Sequence, residues 1–448
     1  MAQELNEKVV SLMEETAVPG VVVGILNQGQ THIASFGVTN IDHPLPVTAD
    51  TLFQIGSITK TFTATLMMRL VEQGLLDLDA PLTTYLPDFR VQDETAVSQI
   101  TPRHLVSHIA GWVGDHFVDT GSGANANQLY AATMAGLPQL APVGKLFSYN
   151  NASFSLAGHL IETLMGQSYE AAMQAELFDP LDMDHAYFYA GDVMTHRFAV
   201  GHRVTPDGPV VQGPWPLPRA VHAAGAICCS AGNLLRYAAF HLNNGKAESG
   251  QQLLAAEAVE QMRTPQRPVG DMMEAIGLSW FLDRVDGVWT ASHGGATVGQ
   301  LSQLVLVPER NFAFSIMTNA DYGRVFNKEL SGWILAHYLG LESEKVEPMA
   351  TSAEMLAEIV GRYERPFQDL DLTVENGRLH LAVTFKQSFP NPDTPVPPPL
   401  PPMPLELISP NCFRVLDGPM KHQLVSIIHD DDGVIGWIRY GGRIHRRA

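Results

Sequence analysis

Cysteine, basic residues and long apolar runs are all scarce in this chain of 448 residues. Its three cysteines include the adjacent Cys228 and Cys229, and an odd number with a vicinal pair does not form a disulfide framework. We therefore expect a reducing, cytoplasmic setting, although an exported chain whose leader has been removed would have the same composition. The N-terminus lacks the basic start and apolar stretch of a secretory signal, and no apolar run is long enough to span a bilayer.

The charge balance is acidic, with 28 Lys and Arg against 47 Asp and Glu and a formal net charge of -19. Because nucleic acid requires a basic surface, we expect no nucleic-acid partner. The same balance argues against a polybasic membrane anchor. The sequence contains neither the Cys-x-x-Cys pair typical of metal sites nor the Gly-x-Ser-x-Gly of α/β-hydrolases. We expect no metal and no other cofactor.

The order of predicted elements in residues 1–345 indicates a mixed α and β fold. Glycine-bounded, β-branched runs predict strands at both ends of this region, with a block of helices between them, which favours one sheet built from the two ends plus a helical insertion. The predicted strands are Gly20–Asn27, Thr31–Val38, Gly277–Asp283, Gly299–Val307 and Ala313–Thr318. The polar segment Gly111–Asn127 is predicted to be a long surface loop, and the proline-rich segment Gly201–Arg219 is a candidate wall of a pocket.

The composition changes near residue 345, and residues 353–448 are predicted to form a separate, small β-domain. Asn376-Gly377, between two strand-like runs, predicts a hairpin with a two-residue turn. The proline-dense stretch Pro390–Pro404 is predicted to be a stiff, extended surface loop.

The single Ser-x-x-Lys of the chain, Ser57-Ile-Thr-Lys60, begins a predicted helix that runs to Gln73. Residues three apart lie on the same side of a helix, so an amine would lie beside a serine hydroxyl at the helix N-terminus. A serine that caps a helix beside an ordinary lysine is the alternative interpretation of this motif alone.

Two further clusters have ordinary structural interpretations when each is taken alone. Tyr149-Asn150-Asn151 precedes an apolar helix and can be explained by packing of the tyrosine and helix capping by Asn151 or Ser153. The segment His293-Gly294-Gly295-Ala296 can be explained as a glycine turn leading into a strand.

Taken together and in order, the three clusters resemble the motifs of the serine β-lactamase and penicillin-binding-protein superfamily, in particular its class C β-lactamase, esterase and D-aminopeptidase branch. The resemblance covers roughly residues 5–345 and is supported by the sequence segments around His108 and Gly225. It implies an antiparallel sheet flanked by helices, with an all-α lobe and the site between them. Residues 353–448 resemble the lipocalin-like β-barrels appended to some members of the family.

The resemblance also implies a role for each motif. Ser57 is the expected nucleophile, Lys60 and Tyr149 are expected to move protons, and Asn151 is expected to hold Lys60 and the acyl amide of the substrate. Either Lys60 or Tyr149 qualifies as the base, and analogy with the class C branch favours Tyr149. The backbone amides of Ser57 and Ala296 are the expected oxyanion donors, which the glycines Gly294 and Gly295 allow the substrate to approach.

The third motif departs from the family, because His293 replaces the lysine that recognises the β-lactam carboxylate. A mostly neutral histidine binds an anion less well, so we expect weak or no β-lactamase activity and a small-molecule ester or amide substrate. The other histidines, among them His104, His108 and His222, are interpreted as structural or surface groups. Three alternatives remain open: a D-stereospecific aminopeptidase or amidase, an acyltransferase, and a non-catalytic binding protein that keeps the fold. The sequence is compatible with an oligomer.

Overall fold

The computed structural model describes residues 2–344, 346–389, 394–417 and 420–448. None of the helices in these ranges combines the length and apolarity that crossing a membrane requires. The α-helices are α1 (Ala2–Thr16), α2 (Thr59–Glu72), α3 (Glu94–Gln99), α4 (Pro102–Val106), α5 (Ala126–Thr133), α6 (Asn151–Met165), α7 (Tyr169–Met173), α8 (Ala190–Val193), α9 (His222–Gly225), α10 (Ala231–Leu242), α11 (Ala256–Met262), α12 (Gly323–Leu339) and α13 (Ala353–Ile359). Short 3₁₀ helices cover Gly56–Ile58, Leu82–Thr84, Met134–Gly136, Arg219–Val221 and Pro308–Arg310, and a π-helical turn covers Gln174–Phe178.

The strands fall into two main groups, one on each side of α13. Those before it are β1 (Gly20–Asn27), β2 (Gln30–Gly37), β3 (Phe53–Gln54), β4 (Ala186–Tyr187), β5 (His202–Thr205), β6 (Gly208–Val211), β7 (Cys228–Cys229), β8 (Arg267–Gly270), β9 (Met273–Ile276), β10 (Phe281–Val285), β11 (Val288–Ala296), β12 (Leu301–Val307) and β13 (Phe312–Thr318). Those after it are β14 (Gly361–Glu364), β15 (Gln368–Glu375), β16 (Arg378–Phe385), β17 (Leu400–Ser409), β18 (Cys412–Val415), β19 (Leu424–His429), β20 (Ile435–Tyr440) and β21 (Arg443–Arg447).

An eight-stranded antiparallel sheet organises the first group, in the order β2-β1-β13-β12-β11-β10-β9-β8. Strand β1 pairs with β13, so that Val21 lies opposite Thr318. The two ends of this region therefore share one sheet, with the helical block inserted between them. This arrangement confirms the fold predicted from the order of strands and helices.

Both faces of the sheet are buried at the inner strand β1, which explains its unbroken apolar run, whereas the edge strand β2 is largely exposed. Side chains alternate between the faces of a strand. Val23 and Ile25 pack with α1 and α12, whereas Val22 and Leu26 join the larger cluster that contains α2, α6 and α10. The sheet therefore lies between a two-helix layer and the helical lobe.

The second group of strands, β14 to β21, closes into an eight-stranded barrel. Its interior is apolar and includes Leu370, Leu381 and Phe413. The predicted hairpin is present, with Asn376 and Gly377 both at positive φ between β15 and β16, as a two-residue hairpin turn requires. The short strands β14 and β21 that complete the barrel were not predicted.

The prediction of a loop over Pro390–Pro404 is wrong at its C-terminal end, from Leu400 to Pro404. Residues 390–393 lie outside the described residues, but Leu400–Ser409 forms β17. The register between β16 and β17 shifts between Leu381 and Val383, and prolines are tolerated at such irregularities because they cannot donate a ladder hydrogen bond.

The barrel packs directly against the domain built on the large sheet. The indole Nε1 of Trp437 donates to the carbonyl oxygen of Leu140 at 2.9 Å, and Arg439 donates to the carbonyl oxygen of Val269 at 2.7 Å. The expected domains, residues 1–345 and 353–448, stay a prediction, and residue 345 itself lies outside the described residues. Helix α12 ends at Leu339 and α13 begins at Ala353.

Candidate active site

Ser57 lies in the 3₁₀ turn that leads into α2, and a glycine brings this turn close to the end of β11. Gly56 has φ +54°, and a Cβ on it would lie 2.5 Å from the amide nitrogen of Ala296. Only glycine fits both the backbone conformation and this approach. Ser57 and Ala296, which are far apart in sequence, are therefore held on neighbouring segments.

Lys60 is the second residue of α2, about one turn beyond Ser57, and is fully buried. Its Nζ lies 3.0 Å from Ser57 Oγ and donates to the carbonyl oxygen of Ala224 at 2.6 Å. Burial lowers the pKa of the amine well below its ordinary value, and the positive charge of Arg443 lowers it further. The amine is therefore poised to be neutral beside the hydroxyl.

Tyr149 lies on the other side of the amine. Lys60 Nζ is 5.0 Å from the centre of the tyrosine ring, which stacks on the imidazole of His108 at 4.4 Å. Burial raises the pKa of the phenol, and this effect outweighs the opposing hydrogen bond with Ser57. The buried Lys60 and Tyr149 therefore meet the partly exposed Ser57 in one cluster, with the phenol in its neutral form.

Asn151 begins α6, but it does not cap it. The N-cap is Asn150, whose side chain accepts from the amide of Ser153 at 2.8 Å, so the structural interpretation with Asn151 or Ser153 as the cap is wrong. The amide Nδ2 of Asn151 donates to Asp115 Oδ1 at 2.8 Å. The expected contact with Lys60 is not among the hydrogen bonds of the described residues, where the backbone of Ala224 holds the amine instead.

His293, Gly294, Gly295 and Ala296 form the last residues of β11, paired with β12. The four residues therefore lie within a strand and do not form the glycine turn that was the alternative interpretation of this segment. A Cβ on Gly295 would lie 1.9 Å from the carbonyl oxygen of Ile55. The absence of a side chain at Gly295 therefore lets the end of β11 approach the segment before Ser57 closely.

The third motif contributes a neutral imidazole rather than a cation. His293 is 1% exposed and stacks on Phe281 at 4.5 Å. Its Nδ1 lies 2.6 Å from the carbonyl oxygen of Gly294, which makes Nδ1 the protonated nitrogen, since a carbonyl can only accept. Burial lowers the pKa of His293 to about 3, and the neighbouring Lys60 contributes to this shift.

Sequence reasoning missed a buried carboxylate and two arginines beside the second motif. Asp115 lies within the segment predicted to be a surface loop, but it is 4% exposed. Its Oδ2 accepts from Arg365 at 2.6 Å and from Arg443 at 3.2 Å. Burial alone would raise the pKa of Asp115, but the two guanidinium charges outweigh it and hold the pKa below its ordinary value. The polar composition of the segment Gly111–Asn127 was the only signal near Asp115, and no motif marks the arginines.

The barrel reaches the second motif directly. The amide of Tyr149 donates to the carbonyl oxygen of Gly442 at 2.8 Å, and the guanidinium carbon of Arg443 lies 4.5 Å from the centre of the Tyr149 ring. Gly442 lies in the turn between β20 and β21, and Arg443 is the first residue of β21. The barrel therefore contributes atoms to the surroundings of the site.

A cavity of about 90 Å³ lies beside the segment that precedes Ser57. Its walls are mainly apolar and aromatic, and the proline-rich segment supplies three of them, as its composition indicated. The lining residues are Gln54, Phe188, Tyr189, Ala190, Trp215, Pro216, Leu217, His222 and Ala226. Among the described residues, no group of three or more His, Cys, Asp and Glu side chains is arranged to hold a metal ion.

Known proteins share both the sequence pattern and the fold. The profile of the Beta-lactamase family matches residues 5–338. Penicillin-binding protein 4 of Amycolatopsis lactamdurans is 30% identical over 372 residues, which cover 80% of this chain and 97% of that protein. The crystal structure of SurE with D-Leu superposes with a TM-score of 0.78 at 26% identity, over 100% of this chain and 99% of that chain. The octameric penicillin-binding protein homologue from Pyrococcus abyssi has the same fold, with a TM-score of 0.69 at 23% identity over 99% of each chain.

Gly295→Ala is expected to slow the reaction of Ser57 with an activated ester by about 10²–10³-fold, the cost of losing one oxyanion donor. The added Cβ would displace the strand end from the carbonyl of Ile55, and Ala296 would move with it. Stopped-flow acylation rates measure the effect. Gly294→Ala is the matched comparison, because the nearest atom to its Cβ would be the movable side-chain oxygen of Gln303 at 3.2 Å, with the carbonyl oxygen of Ser302 at an ordinary 3.7 Å. Equal losses in both variants would contradict this account.

Proposed function

The chain belongs to the beta-lactamase family and is a serine hydrolase, and we propose that it acts through an acyl-enzyme on carboxylic esters or small amides. One observation carries this proposal: Lys60 Nζ lies 3.0 Å from Ser57 Oγ while the lysine is fully buried. Serine is a weak nucleophile until a neighbouring base takes its proton. A desolvated amine at this distance is such a base.

Lys60 rather than Tyr149 receives the Ser57 proton in this mechanism. Burial favours the neutral form of both groups, which for lysine is the base and for tyrosine is the acid. This assignment differs from the preference for Tyr149 that the sequence suggested by analogy. Tyr149, which lies beside Ser57, then acts as the neutral phenol: it gives its proton to the leaving group and takes back the proton that Lys60 received from Ser57.

Two backbone amides stabilise the tetrahedral intermediate. The amides of Ser57 and Ala296 are the donors, because the contact of Gly56 with Ala296 holds the two segments together. Preorganised donors of this kind lower the barrier without reorganising during the reaction. Water then attacks the acyl-enzyme and releases Ser57.

The surroundings of the site favour a substrate with an apolar acyl group. The cavity near the segment that precedes Ser57 has Trp215, Leu217 and Phe188 among its lining residues, and these side chains offer apolar surface to an acyl group. The neutral His293 is a poor anchor for the carboxylate of a β-lactam, which supports weak or no β-lactamase activity.

A second candidate uses the same site on D-amino-acid substrates. The superposed SurE structure holds D-Leu and covers the whole of this chain, barrel included. This similarity favours a D-stereospecific amidase or an acyltransferase in which an amine replaces water. A non-catalytic binding protein is disfavoured, because a buried lysine is costly to fold and binding alone gives no reason to keep it.

Assembly and location are further proposals. The homologue from Pyrococcus abyssi is octameric, which favours testing this protein for an oligomer. The cytoplasmic location stays a prediction.

Turnover of p-nitrophenyl esters tests the proposed function. We expect hydrolysis by the native protein, and a loss of about 10³-fold or more in kcat/KM for Ser57→Ala and Lys60→Met, because removal of a nucleophile or its base removes the covalent route. D-amino-acid p-nitroanilides, with and without an added amine, provide the second arm. Faster turnover of the D-amides would favour the amidase, and an amine-linked product would favour the acyltransferase. Undiminished ester hydrolysis by Ser57→Ala would contradict the nucleophile assignment.

The pH dependence identifies the base. The ascending limb of kcat/KM should report deprotonation of Lys60 and have its midpoint below the ordinary lysine value of about 10.4, because burial and Arg443 lower this pKa. Tyr149→Phe should keep that limb at a reduced rate. Arg443→Met should move it to higher pH, since the variant removes a positive charge. A limb that disappears in Tyr149→Phe would assign the base to tyrosine.

A further inference from the structure

The barrel carries none of the three motifs, but it is linked to two residues of the second motif: directly to Tyr149, and through Asp115 to Asn151. One contact is the 2.8 Å hydrogen bond from the Tyr149 amide to the Gly442 carbonyl oxygen, at the turn between β20 and β21. The other passes through Asp115, which accepts from Asn151 on one side and from arginines of the barrel on the other. The interface between the two domains therefore ends inside the active site.

Asp115 is the shared partner in this arrangement. Its side chain is 3% exposed and that of Arg365 is 5% exposed. A buried carboxylate is tolerated when its oxygens are fully paired, and removal of one of several partners makes its burial more costly. Arg365 donates the shortest of the hydrogen bonds to Asp115, at 2.6 Å, whereas both hydrogen bonds from Arg443 are 3.2 Å long. Loss of Arg365 would leave Asp115 held by Arg443 alone and free to shift away from Asn151.

The hydrogen bond to Asp115 fixes the orientation of the Asn151 amide. An ionised carboxylate only accepts hydrogen bonds, so the atom of Asn151 that faces it must be the donating Nδ2. The carbonyl oxygen Oδ1 is then the atom that Asn151 offers to other partners. An amide N–H of a substrate, or the amine of Lys60 once it is protonated, requires an acceptor of this kind.

We propose that Arg365 is a positioning residue, through which the barrel holds Asp115 and thereby presents the carbonyl oxygen of Asn151 to the reaction. This inference rests on the proposed function, because it assigns Asn151 to the acyl-transfer site. Arg365 does not touch the nucleophile in this arrangement, since its contacts are Asp115, His445 and the ring of Phe367. The active site is incomplete without the barrel.

Other contacts across the interface separate this role from general docking. Lys145 of the large domain pairs with Asp431 of the barrel, and neither residue contacts Asp115 or the second motif through this pair. Lys145→Met therefore breaks an ion pair between the same two domains and serves as the matched control.

A double-mutant cycle tests the proposal with Arg365→Met, Asn151→Ala and the combined variant, measured as kcat/KM on an ester and on an amide substrate. Arg365→Met should reduce kcat/KM by about 10–100-fold, the scale of a misplaced positioning group, while Lys145→Met should change it by less than about two-fold. In the Asn151→Ala background, Arg365→Met should cost less than about two-fold more, because its effect passes through Asn151. Losses that multiply in the combined variant would overturn the proposal and leave Arg365 as an interface residue only.

Two further measurements keep the test decisive. If Arg365→Met does not fold, Arg365→Lys retains the charge and should show a smaller loss of the same kind, again suppressed in the Asn151→Ala background. A crystal structure of the folded variant should show the Asn151 amide turned away from Asp115, with the Ser57 to Lys60 contact kept. An unchanged Asn151 would overturn the positioning role even if the native protein hydrolyses no ester, whereas absent hydrolysis alone would count against the proposed function.

Discussion

A lysine amine kept out of water beside a serine hydroxyl is the constraint on which the rest of the site depends. An amine in water is protonated at neutral pH and cannot accept a proton. Complete burial of Lys60, with the Ala224 carbonyl as its fixed partner, shifts the balance towards the neutral form. The helical lobe, the strand end and the barrel matter for function because they surround a fully buried amine while Ser57 stays partly exposed.

The parts of the site come from separate elements that are held by close backbone approaches. Gly56 and Gly295 have no side chains where the 3₁₀ turn and β11 meet, which brings Ser57 next to Ala296. The turn between β20 and β21 of the barrel closes the other side, over Tyr149. His293 is neutral, and the charge of Arg443 is paired with Asp115. The site therefore lacks the positive charge that a lysine in the third motif would supply.

The sequence predicted those features that depend on local pattern. Period and turn chemistry placed β1, α6 and the Asn376-Gly377 hairpin. The ordered motifs selected Ser57, Lys60 and Tyr149, which lie together in the structure, and their catalytic roles stay a prediction. The Asp115 network was not predicted, because its hydrogen bonds join residues that are far apart in the sequence. The separation is 250 positions for the bond to Arg365 and 328 positions for the bond to Arg443, and no periodicity encodes such contacts. The choice of base also depended on burial, which a motif alone does not report.

Intact-mass analysis after treatment with a fluorophosphonate tests the central claim most directly, because the reagent forms a stable adduct only with an activated serine. The account predicts one adduct on the native protein, located at Ser57 by peptide mapping and absent from Ser57→Ala. It also predicts that labelling slows as the pH falls and the Lys60 amine becomes protonated. A native protein that stays unmodified, or an adduct that persists in Ser57→Ala, would contradict the account.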